Sequence, residues 1–306
     1  MTAERVVARA PRALDPGTAG GPEERRAAPA TRRRPRGIGR RAAVLITLIV
    51  LAGVFAMPLL WMVSASLKPE NEVLASPPTF IPSAFQWENY AAAADGLLPF
   101  FLNSVKLAAL NVTGLLFFAS LAGYGFARLN FVGKNVAFAL LLATAMIPSM
   151  VYLIPQYMLF REIGWIDTHL PLWVPNVLTP VFGTFLLRQS FRGVPRELEE
   201  AAKLDGASIF GTFWRIMLPQ VKPALAAVGA LTFMASWNDL FGPLIFLNST
   251  RLQTMPIALV LFQGEFFTQT NLMMAAATLT IIPPLILFFL AQRYFVQGIT
   301  MSGLKG

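Results

Sequence analysis

Val194-Pro-Arg-Glu-Leu-Glu-Glu-Ala-Ala-Lys-Leu-Asp-Gly-Ala-Ser208, running on to Arg215-Ile-Met-Leu-Pro219, spells a short helix, a turn and a second amphipathic stretch. Pro195 suits the first helical position, where the N–H it lacks would have no partner. Glu197 and Glu199 then fall in the first turn, at the positive end of the helix dipole. Glu199 precedes Lys203 by four residues, the spacing of an intrahelical ion pair. Gly206 follows Asp205 and lets the chain turn where a side chain would obstruct, which ends the helix. Residues 209–218 form the second stretch. Ala201 and Ala202 give the first helix a low-relief face suited to another protein's groove. A helix lying on lipid headgroups would carry the same pattern.

Apolar sequence flanks this segment on both sides. The 306-residue chain is 55% hydrophobic and 13% charged, with a mean hydropathy of +0.57, against about 25% charged residues in soluble domains. A bilayer core needs about 20 apolar residues per helix, and six windows meet this: 42–67, 101–126, 136–160, 170–190, 221–247 and 271–295. The predicted fold class is therefore all-α, a polytopic membrane protein with six transmembrane helices and a connecting loop over 191–219. Pro171, Pro175 and Pro180 make the fourth window the least regular.

Charge tests that window independently. Eleven of the 25 Lys and Arg residues lie in the first 41 positions, ahead of nearly all apolar sequence. Residues 1–40, rich in Ala, Pro, Gly and Arg, bury too little apolar surface to offset ordering entropy. They are expected to form a disordered tail, touching anionic headgroups or simply fixing orientation, with 41–306 as the membrane domain. The apolar run after the arginines is too long for a cleaved signal, whose apolar region is about 7–15 residues. Cytoplasmic loops collect Lys and Arg. With six spans and the tail inside, Arg128, Lys134, Arg188, Arg192, Arg196, Lys203, Arg215, Lys222, Arg293 and Lys305 lie inside. Only Lys68, Lys106, Arg161 and Arg251 lie outside. Both termini are thus expected in the cytoplasm, in a bacterial inner membrane. The net charge of +9 then reports orientation, and no nucleic acid partner is implied.

The chain has no Cys, which excludes disulfides, thiol catalysis and Cys-based metal sites. His169, the single histidine, cannot build a multi-histidine centre and is expected on the surface of a loop; no metal or cofactor is expected. No G-x-x-x-x-G-K-[ST] stretch occurs, so ATP phosphates cannot be cradled by that route. Pro148, Pro155, Pro243, Pro283 and Pro284 inside the windows imply kinks that are buried or line a cavity. Gly114, Ala119, Ala122, Gly123 and Ala275-Ala276-Ala277 permit close helix approach.

Glu200-Ala201-Ala202, three residues, Gly206, nine residues, Ile216, one residue, Leu218-Pro219 resembles the cytoplasmic EAA loop of ABC importer permeases. Asn103-Ser104-Val105-Lys106, Tyr124-Gly125-Phe126-Ala127-Arg128, Trp237-Asn238-Asp239 and the ending from Gln292 to Gly306 are similar to the shorter second permease of maltose-type systems. The resemblance covers 42–306 and implies the type I importer permease fold. It assigns the loop as the coupling helix that docks into an ATPase cleft, with Glu200, Ala201, Ala202, Asp205 and Gly206 as docking residues. It implies a second permease, two ATPase subunits (or a homodimeric ATPase), an extracytoplasmic solute-binding protein and a sugar, a di- or oligosaccharide or a glycerol-phosphate derivative, as partners beside membrane lipid. This chain would be a non-catalytic subunit, with hydrolysis on the ATPases. Residues 298–306 would reach between them.

A carboxylate at bilayer depth is costly and faces a cavity or a partner. Asn238 and Asp239, inside the fifth window, are therefore candidates for the sugar path; a packing contact to Asn111 or Thr113 is the alternative. Trp237 stacks on a sugar or packs. Lys106 is expected to snorkel to the interface. The external segment 68–95, with Glu70, Glu72, Trp87, Glu88 and Tyr90, is either the surface that meets the binding protein or a solvated loop. A secondary transporter would leave the Glu-Ala-Ala loop unexplained, and a membrane-embedded enzyme would need more intramembrane acids than Asp239.

Overall fold

A backbone in lipid must pair its own N–H and C=O groups, which leaves helices and closed barrels; among the described residues here there is no strand. The computed structural model describes residues 38–265 and 269–303, with side chains over 41–261 and 269–292. Most of the expected basic tail, residues 1–37, and the end of the expected C-terminal extension, 304–306, lie outside the described residues.

The helices are α1 (Ile38–Ser66), α2 (Glu70–Val73), α3 (Glu88–Arg128), α4 (Lys134–Thr144), α5 (Ser149–Glu162), α6 (Leu170–Leu178) and α7 (Val181–Gly193). They continue with α8 (Glu197–Leu204), α9 (Ile209–Thr212), a π-helical turn Phe213–Met217, α10 (Leu218–Gln220), α11 (Lys222–Trp237) and α12 (Phe241–Phe246). A 3-10 turn, Thr250–Leu252, precedes α13 (Met255–Glu265) and α14 (Thr270–Gly303). Four stretches are long and apolar enough to cross a membrane: Arg41–Ser66, Glu88–Arg128, Leu170–Gly193 and Thr270–Gln292. Two bent pairs, α4 with α5 at 91° and Ile209–Gln220 with α11 at 79°, bring the number to six when each counts as one crossing.

The chain falls into two units, up to Phe55 and from Ala56 onward, with α1 running through the boundary. In the first unit the described side chains, from Arg41 to Phe55, are all exposed. In the second, α3 is the axis against which α6, α7, α11, α13 and α14 pack. Its 41 residues make a rod about 60 Å long, twice the bilayer core of about 30 Å. Glycine lets the neighbours come close: a Cβ on Gly114 would lie 2.6 Å from Val177 Cγ2, and one on Gly123 3.0 Å from both Leu187 Cβ and the Arg188 nitrogen.

Proline sets where the windows break. Pro148 stands at the N-cap of α5, so the third window is two helices at a right angle rather than one rod. The fifth window, expected over 221–247 with a kink at Pro243, ends its first helix at Trp237 and resumes at Phe241. Pro284 has no N–H, which strips Thr280 O of its helical partner four residues on. The indole of Trp237 fills the gap, its Nε1 donating to Thr280 O at 3.2 Å. Trp237 is otherwise buried, stacked on Phe233 and edge-on to Phe101, so it packs.

Candidate functional site

The segment between α7 and α11 folds as a capped hairpin. Pro195 and Arg196 precede α8, with Arg196 at the N-cap, so the helix begins two residues later than its proline suggested. At its far end Gly206 takes φ 77°. Gly206 N donates to Lys203 O at 3.1 Å and Ala207 N to Ala202 O at 2.9 Å, the paired bonds of a Schellman ending. Two residues on, Ser208 caps α9, its hydroxyl accepting from Gly211 N at 3.1 Å. Two adjoining chain-reversal signals therefore fix the tip.

The inner face of the hairpin is anchored in the bundle. Phe213 and Met217, on the π turn, are buried with Leu187 and Phe191 of α7 and Tyr124 of α3. The Tyr124 ring lies 5.2 Å from Phe213 and 5.6 Å from Phe191. Glu199 does not pair with Lys203; its Oε1 lies 3.6 Å from Arg128 Nε, at the end of α3. A nearly buried guanidinium on another element outweighs a solvated ammonium one turn away, because screening is weaker there. Arg128 also donates to the carbonyls of Phe191 (2.6 Å) and Val194, closing the C-terminus of α7.

The outer face carries most of the predicted docking residues. Glu200, Ala201, Asp205 and Gly206 are exposed, while Ala202, at 3% exposure, faces the bundle. Ala201 and Ala202, about 100° apart around the helix, thus face different surroundings, and the small side chain of Ala202 lets α8 lie close to its support. Beside the acids the structure exposes Leu204 (90%), Phe210 and Trp214, an apolar set that sequence reasoning missed. Its only signal was apolar residues off the buried stripe.

Asp239 sits in the α11–α12 break, half-buried, where its Oδ1 accepts from Gly242 N at 3.0 Å. It shares a cavity of about 660 Å³ with Asn111, Asn176, Thr232 and Ser236 among apolar walls, and also borders a neighbouring cavity of about 850 Å³. Asn111 bonds Ser236 Oγ (3.1 Å) and Leu172 O (3.2 Å), and Asn176 reaches Asn111 Oδ1 at 3.3 Å. Among the described residues neither Asn238 nor Asp239 hydrogen-bonds to Asn111 or Thr113. Asn238 is exposed, closes its own helix on Met234 O and lines neither cavity. Thr232 and Ser236, four residues apart on one helix face, were legible as a polar pair.

His169 is not a surface residue. It is 7% exposed, with Nε2 2.8 Å from Leu252 O and Nδ1 3.3 Å from the Lys106 ammonium. Nε2–H donates and Nδ1 accepts, so Lys106 is tied to the ring instead of extending freely. Burial pushes the His169 pKa down, and the Lys106 charge adds to it against the Leu252 hydrogen bond.

In the 68–95 segment Lys68 is fully buried, its ammonium donating to Thr79 O and lying 4.5 Å over Trp61. Glu72 clasps Thr79 Oγ1 and the Ser83 amide and hydroxyl, bonds that hold its carboxyl below the usual range. Tyr90 bonds Ser66 Oγ at 2.6 Å. Glu70, Trp87 and Glu88 remain exposed. Among the described residues no three His, Asp or Glu side chains gather as a metal site.

Residues 115–301 match the family model described as binding-protein-dependent transport system inner membrane component. The chain is 32% identical to the arabinooligosaccharide transport system permease of Bacillus subtilis (strain 168), over 87% of this chain and 96% of that one. It is 31% identical to the trehalose/maltose transport system permease of Thermococcus litoralis, over 87% and 98%. The sn-glycerol-3-phosphate transport system permease of Pectobacterium atrosepticum is 32% identical over the same shares. In fold, the chain resembles a chain of a bacterial ABC transporter that imports alginate, with a TM-score of 0.68 at 22% identity, covering 85% of this chain and 99% of that one.

Proposed function

The chain belongs to the binding-protein-dependent transport system inner membrane components, and from that membership we propose that it passes a carbohydrate through the inner membrane as one permease of an ATP-driven importer. A second permease, two ATPase subunits and an extracytoplasmic solute-binding protein complete the assembly. The chain itself is non-catalytic; the absence of a phosphate-binding loop from its sequence supports placing ATP hydrolysis on its partners.

One observation carries this reading: a tip fixed by Gly206 and Ser208 presents Glu200, Ala201 and Asp205 outward while Glu199, Phe213 and Met217 bind it to the spans. Such a hairpin transmits displacement without absorbing it. Closure of the ATPases would move α8 and thereby rock the spans between outward-open and inward-open states. Deleting residues 201–206 is expected to leave the chain in the membrane fraction but abolish co-purification with the ATPase; retained association would end the docking role. Orientation is tested on a chain that lacks native cysteine. Lys203→Cys should react with an impermeant maleimide only after permeabilisation, and Arg251→Cys in intact cells.

Within the membrane, Asp239, Asn111, Asn176, Thr232 and Ser236 supply donors and acceptors suited to a polyhydroxylated solute in an otherwise apolar passage. The sugar class follows the permeases this chain is similar to. Asp239→Ala should alter uptake rate or apparent affinity, and normal values for both would remove it from the path.

A further inference from the structure

Lys134, Arg188, Arg192 and Arg196 line one cavity of about 520 Å³, where the turn between α3 and α4 meets the end of α7 and the start of α8, and no Asp or Glu lines it. The ion pair found among the described residues joins Arg128 to Glu199, so no described carboxylate neutralises any of the four. Two are held in place: Lys134 Nζ donates to Leu129 O at 2.7 Å, and Arg188 donates to Phe126 O at 3.2 Å with its guanidinium 3.9 Å over Phe138. Arg192 and Arg196 are exposed, their forks free for a bidentate acceptor. α4 starts at this cavity without a side-chain cap, which leaves first-turn N–H groups directed outward. Four like charges brought together with no acid among the described lining residues is an arrangement that an anion stabilises.

The rim identifies the anion's source. Phe131 and Val132, at the tip of the α3–α4 turn, are exposed, Val132 completely, and Val136 on the next turn is exposed as well. A small soluble anion has no use for an apolar lip, whereas a phospholipid offers a phosphate and acyl chains a few ångströms apart. We propose that this cavity binds the phosphate of an anionic phospholipid, with Arg192 and Arg196 forking the phosphodiester and the Phe131–Val132 tip resting among the acyl chains. Arg192 lies in the last turn of α7 and Arg196 stands at the N-cap of α8, so an occupied site ties the hairpin's root to the bilayer.

Native mass spectrometry of the purified full chain, with phosphatidylglycerol and phosphatidylcholine of matched acyl chains as probes, tests this. The wild type is expected to retain phosphatidylglycerol in preference to phosphatidylcholine. Arg192→Gln with Arg196→Gln should cut that retention roughly tenfold. Arg192→Lys with Arg196→Lys, which keeps the charge without the fork, should retain an intermediate amount, and Arg161→Gln, at the other end of the α4–α5 pair, should keep all. Equal retention by wild type and the Gln pair would overturn the site. Displacement by millimolar inorganic phosphate would assign it to a free anion instead. Unchanged lipid retention with loss of ATPase co-purification would make it a protein-docking surface.

Discussion

His169 holds a neutral ring between Lys106 and the Leu252 carbonyl, with its pKa depressed by burial first and by the ammonium second. The folded state therefore favours the neutral form. Its contribution to stability is complete above the unfolded pKa of about 6.5 and is lost as pH falls through the lower folded value. The melting temperature of the detergent-solubilised wild type should drop over that interval, and His169→Gln should flatten the drop; an identical slope in both would exclude His169 as the cause. The Trp237–Thr280 bond makes a second residue-level case. Trp237→Phe leaves a part-buried carbonyl unpaired, a loss of about 1 kcal/mol. In a Pro284→Ala background, whose new N–H can serve Thr280 O, the same substitution should cost distinctly less, read as a double-mutant cycle in thermal unfolding. Neither pairing was legible in the sequence. His169 finds partners 63 and 83 residues away, and Glu199 takes Arg128 in place of the neighbour its spacing suggested. Local periodicity names the face of a helix but not what meets it.

Among elements, the α3–α7 contact decides the packing, and two glycines two residues apart separate its causes. A Cβ on Gly123 meets the backbone of Leu187 and Arg188 at 3.0–3.2 Å, whereas one on Gly125 meets nothing within 4 Å. Gly123→Ala should destabilise by about 1–3 kcal/mol through overpacking. Gly125→Ala should gain about 0.5–1 kcal/mol from helix propensity; thermal unfolding of the two variants in one detergent compares them. The six windows were legible because length and apolarity suffice to mark a span. The breaks were only half legible. Proline told where a helix was weakened, yet the 91° turn before α5 and the resumption at Phe241 depend on neighbours the window does not contain. Gly206 was readable because its role is purely local: a positive φ that L side chains rarely adopt.

For the whole molecule, the hairpin's value rests on how firmly it is attached. Arg128 and Glu199 are nearly buried, and removing one partner of such a pair costs about 3–5 kcal/mol. In the assembled importer, Glu199→Ala should leave ATP hydrolysis running while uptake falls, measured in the same proteoliposomes. A decline of uptake only in proportion to hydrolysis would show that the anchor is not needed. The attachment also includes the π turn Phe213–Met217, directly between α9 and α10. A wide turn holds one residue more than the regular pitch requires. Because that turn absorbs the extra residue, excising it would restore the pitch and leave the elements on either side facing nearly as before, whereas excising a residue from regular helix would swivel everything before it by about 100° around the axis, aiming the acids of the tip away from any cleft beneath them. That surplus residue is local slack, and the regular turns on either side of it set the direction of the hairpin.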